Sequence, residues 1–148
     1  MVTEGTGQQR VVIAKPLTWM NLSGEALSPF LGAAEFTPAT DLLILSDDFA
    51  IPLGTFRLRA AGSSGGHNGL ESIQQALGSE SYPRLRVGIG PMPPGTNWAD
   101  FVLSHWSPEE WDRLADVMPE MLEAVECWID DGIEIAMSRF NRREKTGD

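Results

Sequence analysis

The chain has 148 residues, 42% of them apolar, and a formal charge of −10. That length suits one domain with a proper hydrophobic core, and the acidity excludes general affinity for nucleic acid, which needs basic surface. A single cysteine excludes an internal disulfide, no stretch is apolar enough to span a membrane, and no basic-then-apolar leader opens the chain, so the expected location is cytoplasmic.

The total charge hides an asymmetry. Residues 99–135 hold 11 acids against one arginine, whereas residues 51–98 hold 2 acids against 4 arginines. The acidity therefore belongs to one helical region, and the central segment admits a phosphate-bearing ligand.

In chain order, MVTEGTGQQ reads as a turn and Arg10 to Lys15 (RVVIAK) as a buried strand closed by Pro16. Ser23 is expected to cap a helix running through Leu27, Phe30 and Leu31, with Pro29 kinking or shortening it. Asp41 to Leu45 (DLLIL) reads as a second buried strand that empties into Ser46, Asp47 and Asp48. Carboxylates at the carboxyl end of such a strand face the crevice where α/β sheets bind ligands; a turn-capping role competes equally at Asp48 and less so at Asp47. Thr55 to Arg59 alternates as a half-buried strand, with Phe56 and Leu58 on one face and Arg57 and Arg59 on the other.

That strand feeds GSSGGHNGL, residues 62–70, which packs four glycines, two hydroxyls, a histidine and an amide into nine positions. Glycine at this density lets backbone N–H groups approach an anion closely. Leu70, Ile73 and Leu77 then predict a helix from about Asn68 to Leu77. Arg84 to Ile89 predicts another strand with two arginines on one face, PMPPGTNWAD a surface loop, and Phe101 to Leu103 a short edge strand. Ser107, Pro108 and Glu110 form a strong helix start. Two or three helices follow, interrupted at Pro119 and Gly132, with Cys127 in their core and Arg139, Arg142 and Arg143 near the last helix end.

Strands and helices alternate without an internal repeat or a linker, which predicts one α/β domain over residues 1–148: a three-layer α/β/α arrangement around a mixed, mostly parallel sheet. Trp19, Met20 and Asn21, then Asp47, then His67 and Asn68 would bring non-core polar groups to one crevice. An aspartate beside an imidazole fixes its tautomer, and amides hold a carbonyl while water attacks it, so the vocabulary is that of a hydrolase. Asn21 and Asn68 are also plausible helix caps, and a lone histidine is commonly structural. A nucleotide phosphate loop is excluded because no Lys-Ser or Lys-Thr opens the helix, and no histidine or cysteine pair has metal-ligand spacing. Residues 62–66 fit G-x-S-x-G, which leaves a serine esterase built on Ser64 as an alternative.

KPLTWMNLSG, LSDDFAIPLG, GSSGGHNGL and RLRVGIG, in this order and at these intervals, resemble the bacterial-type peptidyl-tRNA hydrolases from about Val11 to Asn141. The resemblance implies hydrolysis of the ester joining a peptide to tRNA, recycling tRNA from aborted translation, by a cytoplasmic monomer with no metal or organic cofactor. It implies that Trp19 and Met20 line the substrate cleft and that Asn21 holds the attacking water or the ester carbonyl. Asp47 would orient the catalytic histidine, His67 and Asn68 would position the peptide and the tRNA end, and Arg59 and Arg86 would clamp tRNA phosphate. Family members also carry an earlier buried strand, an N-P-G turn and a T-R-H-N segment whose histidine is the general base. Those motifs do not occur in the 148 residues, so the expectation is an N-terminally incomplete domain lacking something on the order of 50–60 residues. It would show little or no hydrolysis and reduced stability, and the exposed sheet could associate with another chain. An RNA-binding relative that kept the cleft and lost catalysis is the second alternative.

Overall fold

The computed structural model describes residues 10–141; the predicted N-terminal turn, Arg142 and Arg143 lie outside them. The described chain separates into two compact units, residues 10–36 with 63–80 and residues 37–62 with 81–141.

The first unit is a helical pair. A 3-10 helix, Met20–Leu27, is followed by the short α1 (Ser28–Leu31). It packs against α3 (Asn68–Leu77), the helix expected over those residues, and Leu27, Leu70 and Ile73 are buried. Three sequence expectations fail here. Ser23 is not a cap but lies inside the 3-10 helix, where its hydroxyl donates to the Met20 carbonyl at 2.7 Å. A serine hydroxyl can satisfy a backbone acceptor of its own turn as readily as it caps a following one. Pro29 falls in the first turn of α1, where its missing N–H is harmless. Arg10 to Lys15 forms no strand, and Ile13 is 61% exposed. β-branched content alone does not make a strand, which also requires a neighbour to complete its backbone ladder.

The second unit is built on a three-stranded mixed sheet in the order β1-β3-β2, where β1 is Ile44–Pro52, β2 is Phe56–Arg59 and β3 is Arg84–Gly90. β1 runs parallel to β3 and β2 antiparallel to it. The strand predicted at Asp41 to Leu45 begins later and runs further: Asp41 closes the short helix α2 (Pro38–Asp41), and pairing continues past Ser46, Asp47 and Asp48. Backbone pairing to β3 holds these polar residues in the ladder, a long-range constraint that local composition does not carry. At β3, Gly88 lies so close to the Pro52 carbonyl that any Cβ would collide.

α5 (Pro108–Asp131) and α6 (Ile133–Phe140) contribute Val117, Met121, Ala124, Cys127 and Ala136 to a core with Phe56, Leu58 and Leu85. α5 opens with the expected capping box: Ser107 Oγ accepts from Glu110 N at 3.2 Å and the Glu110 carboxylate accepts from Ser107 N at 2.9 Å. It then continues through Pro119, contrary to expectation, and ends at Gly132. An interior proline costs a helix about 3 kcal/mol. The apolar series Leu114, Val117, Met121, Ala124 and Trp128 keeps one packed face on both sides of it, and that burial carries the helix through. In place of the predicted edge strand at Phe101 to Leu103, Phe101 and Val102 belong to α4 (Trp98–Val102) and Leu103 closes it, because Asn97 caps the helix start, its Oδ1 accepting from Ala99 N at 2.9 Å. The exposed edge of β2 is covered by Asn141, whose amide accepts from Leu58 N at 2.8 Å and donates to Leu58 O at 2.9 Å.

Candidate functional site

In the first unit the site is assembled around the first turn of α3. The opening amides of a helix have no intrahelical acceptor, and here a histidine supplies one: His67 Nδ1 accepts from Gly69 N at 3.1 Å and from Leu70 N at 3.2 Å. Asn68, expected as a possible cap, is the first helical residue, and Asn21 is the second residue of the 3-10 helix. With Nδ1 used as an acceptor, a neutral imidazole carries its proton on Nε2. His67 is therefore arranged to donate a hydrogen bond, which suits holding a carbonyl or a hydroxyl and does not suit abstracting a proton.

The 3-10 helix reaches this turn by close backbone approach. A Cβ on Gly69 would lie 2.7 Å from Met20 Sδ, and one on Gly24 would collide with the Ser72 carbonyl. Gly24 N also donates to Ser72 Oγ at 2.9 Å. Trp19, 80% exposed, and Met20, 53% exposed, leave apolar surface beside Asn21. One unit thus gathers Trp19, Met20, Asn21, His67 and Asn68, five of the eight residues singled out in the sequence. The glycine-rich loop before α3 has Gly65 and Gly66 in left-handed conformations with open space where side chains would be. Ser64 Oγ donates to the Glu71 carboxylate at 2.9 Å.

Asp47, Arg59 and Arg86 belong to the sheet unit. Register places Arg57 opposite Arg86 and Arg59 opposite Arg84, so all four guanidinium groups share one face, with Ser46 and Asp48 of β1 beside them. Asp47, opposite Val87, lies on the other face. Like charges directly opposite in a sheet repel, and two arrangements offset this. Arg84 is fully buried, with its guanidinium 3.9 Å from the centre of the Tyr82 ring and donating to the Tyr82 carbonyl. Arg86 Nη1 meets Asp48 Oδ2 at 3.5 Å, and the other Asp48 oxygen accepts from Ala50 N at 2.8 Å. Asp48 thus lies within β1 and not in the turn weighed for it, one oxygen on a backbone N–H and the other on Arg86. Arg59, at the end of β2, is exposed.

A pocket of about 340 Å³ in the same unit is lined by Ile51, Phe56, Arg57, Val117, Glu120 and Phe140, among others, and includes none of the predicted site residues. Among the described residues no helix is long and apolar enough to cross a membrane, and no group of three or more His, Cys, Asp or Glu could hold a metal ion. Sequence reasoning overlooked Ser72 and Asn141. Only the glycine of MNLSG, a residue suited to close approach, hinted at the first, and nothing local signalled the second.

The sequence model of the family described as Peptidyl-tRNA hydrolase matches residues 1–147. The chain belongs to the peptidyl-tRNA hydrolase family. A peptidyl-tRNA hydrolase of Gemmatimonas aurantiaca is 48% identical over 139 residues, covering 92% of this chain and 73% of that one. One of Methylacidiphilum infernorum is 45% identical over 134 residues, covering 90% and 72%. The crystal structure of a peptidyl-tRNA hydrolase complexed with n-propanol matches with a TM-score of 0.78 at 29% identity, covering 93% of this chain and 70% of that one. The enzyme of Acinetobacter baumannii matches with a TM-score of 0.74 at 29% identity, covering 89% and 65%. The chain thus spans about seven tenths of the length of the curated relatives it matches. The expected family, its hydrolase class and its α/β fold with a mixed sheet are borne out. Neither alternative is favoured. The serine esterase fares worst, because a nucleophile elbow needs its serine on a strained turn, and no described residue other than glycine has positive φ.

Proposed function

We propose that this chain acts on peptidyl-tRNA, hydrolysing the ester between the peptide and the terminal ribose. The observation that carries the reading is the capping of α3 by His67 beside the 3-10 helix that bears Trp19, Met20 and Asn21. In this reading His67 and Asn68 hold the ester end, Asn21 steadies the attacking water or the carbonyl, and Trp19 and Met20 line the cleft. Asp47 orients a catalytic histidine. Arg59 and Arg86, diagonal neighbours on one sheet face, take tRNA phosphate. His67 is not the general base, since its Nδ1 is committed to the helix amides.

A single match over residues 1–147 supports assigning both units to one three-layer catalytic domain. We place the protein in the cytoplasm, a choice supported by the single cysteine and the nature of the substrate.

The test is hydrolysis of N-acetylaminoacyl-tRNA by the 148-residue chain, together with binding of the same tRNA. Expected is measurable binding with turnover lowered by roughly 10²- to 10⁴-fold relative to a family enzyme that carries the general base. Binding no tighter than to uncharged, unrelated RNA overturns the reading, and full turnover overturns the exclusion of His67 as base.

A further inference from the structure

The 3-10 helix is tied to α3 at two points that bracket Asn21. At one, Met20 Sδ fills the hollow left by Gly69, whose own N–H is held by His67 Nδ1, and Ser23 Oγ holds the Met20 carbonyl. At the other, the Gly24 N–H donates to Ser72 Oγ at 2.9 Å, and a Cβ on Gly24 would collide with the Ser72 carbonyl and Ala76 Cβ. Between the ties, Leu22 leaves helical geometry at φ −115° and ψ 15°, so the segment carrying Asn21 has a pivot of its own.

We infer that Ser72 is a positioning residue for the hydrolase site: by accepting the Gly24 N–H, its hydroxyl sets Asn21 against His67 and Asn68. This rests on the functional reading above. The side chain requirement is narrow. The two backbones touch at Gly24, so the acceptor must sit one bond beyond Cβ, which serine and threonine supply and longer amides or carboxylates overshoot. Gly24 is buried, and without that acceptor its N–H loses its partner away from water. The tie at Met20 is dispersion against a flexible thioether, which tolerates sliding; the hydrogen bond at Gly24 has a defined length and direction. Removing it leaves the Asn21 segment anchored at one end and free to turn at Leu22.

The experiment uses the full chain, isotopically labelled, as wild type and as Ser72→Ala, Ser72→Thr and Ser72→Val. Threonine and valine differ by the hydroxyl alone, which separates the acceptor from packing. Each protein is titrated with an adenosine carrying N-acetylphenylalanine through a non-hydrolysable 3′ amide, while Gly24 amide exchange and the Asn21 and Gly69 resonances are followed. Expected are loss of Gly24 protection, movement of the Asn21 and Gly69 signals and about tenfold weaker binding in the alanine and valine proteins, with threonine within about threefold of wild type. Alanine and valine proteins that lose Gly24 protection yet bind as wild type, with Asn21 unmoved, overturn the inference. If the wild type itself does not bind, the hydrolase reading fails instead. The resonances then still decide: Asn21 and Gly69 shifts in the valine but not the threonine protein uphold the positioning role, and unmoved signals remove it.

Discussion

His67 has two separable duties, and one pair of substitutions distinguishes them. Its Nδ1 accepts two of the first-turn amides of α3, at 3.1 and 3.2 Å, while its protonated Nε2 is the group assigned to the ester end. Replacing a capping side chain by alanine costs about 0.5–2 kcal/mol. The two bonds share one acceptor and the site is half-buried, so about 1 kcal/mol is expected for His67→Ala. For a domain of this size that corresponds to a fall of roughly 2–4 °C in Tm. Asparagine is among the best N-caps and restores the acceptor without the imidazole donor. His67→Asn should therefore melt within about 0.5 kcal/mol of wild type. Both variants should bind the N-acetylphenylalanyl adenosine amide several-fold more weakly, by about the loss of one neutral hydrogen bond. Thermal melting and calorimetric titration measure the two effects. An asparagine variant as unstable as the alanine variant would refute the capping account, and one that binds as tightly as wild type would remove His67 from substrate positioning.

Asn141→Ala strips the Leu58 N–H and C=O at the β2 edge of both their partners and should cost about 1–3 kcal/mol, read by urea denaturation, with faster exchange of the Leu58 amide. Pro119→Ala restores a donor to the middle of α5 and should stabilise by about 1–2 kcal/mol, the helix gain being partly offset by a freer unfolded chain. Arg59→Ala should weaken tRNA binding and reduce the salt slope of log Kd by about one, the signature of one lost phosphate contact. Asp48→Asn removes the Asp48 charge beside Arg86 and should tighten tRNA binding at low salt, measured by fluorescence anisotropy; weaker binding would show that Asp48 is needed to hold Arg86 in place.

Local patterning determined several features of this protein. The 3.6-residue spacing of Leu70, Ile73 and Leu77 marked α3 to its end residues, Ser107 with Glu110 marked the start of α5, and period-two alternation marked β2 and its arginine face. Each depends on neighbours within one or two turns. Four ordered motifs carried the family, because function constrains residue identity at particular spacings rather than average composition. The errors arose wherever a distant partner decides. Arg10 to Lys15 has the composition of a strand without the ladder, β1 outruns its apolar stretch because β3 pairs with it, and α5 survives Pro119 because one face is buried on both sides. Chemistry was divided in the same way. The sequence named His67, but only the folded first turn of α3 shows that its Nδ1 is spent on two amides, and only the meeting of Gly24 with Ser72 identifies the serine that holds Asn21 in register. Hydrogen bonds between residues 48 positions apart leave no periodic trace in the chain, since loop closure brings such residues together and local propensity does not.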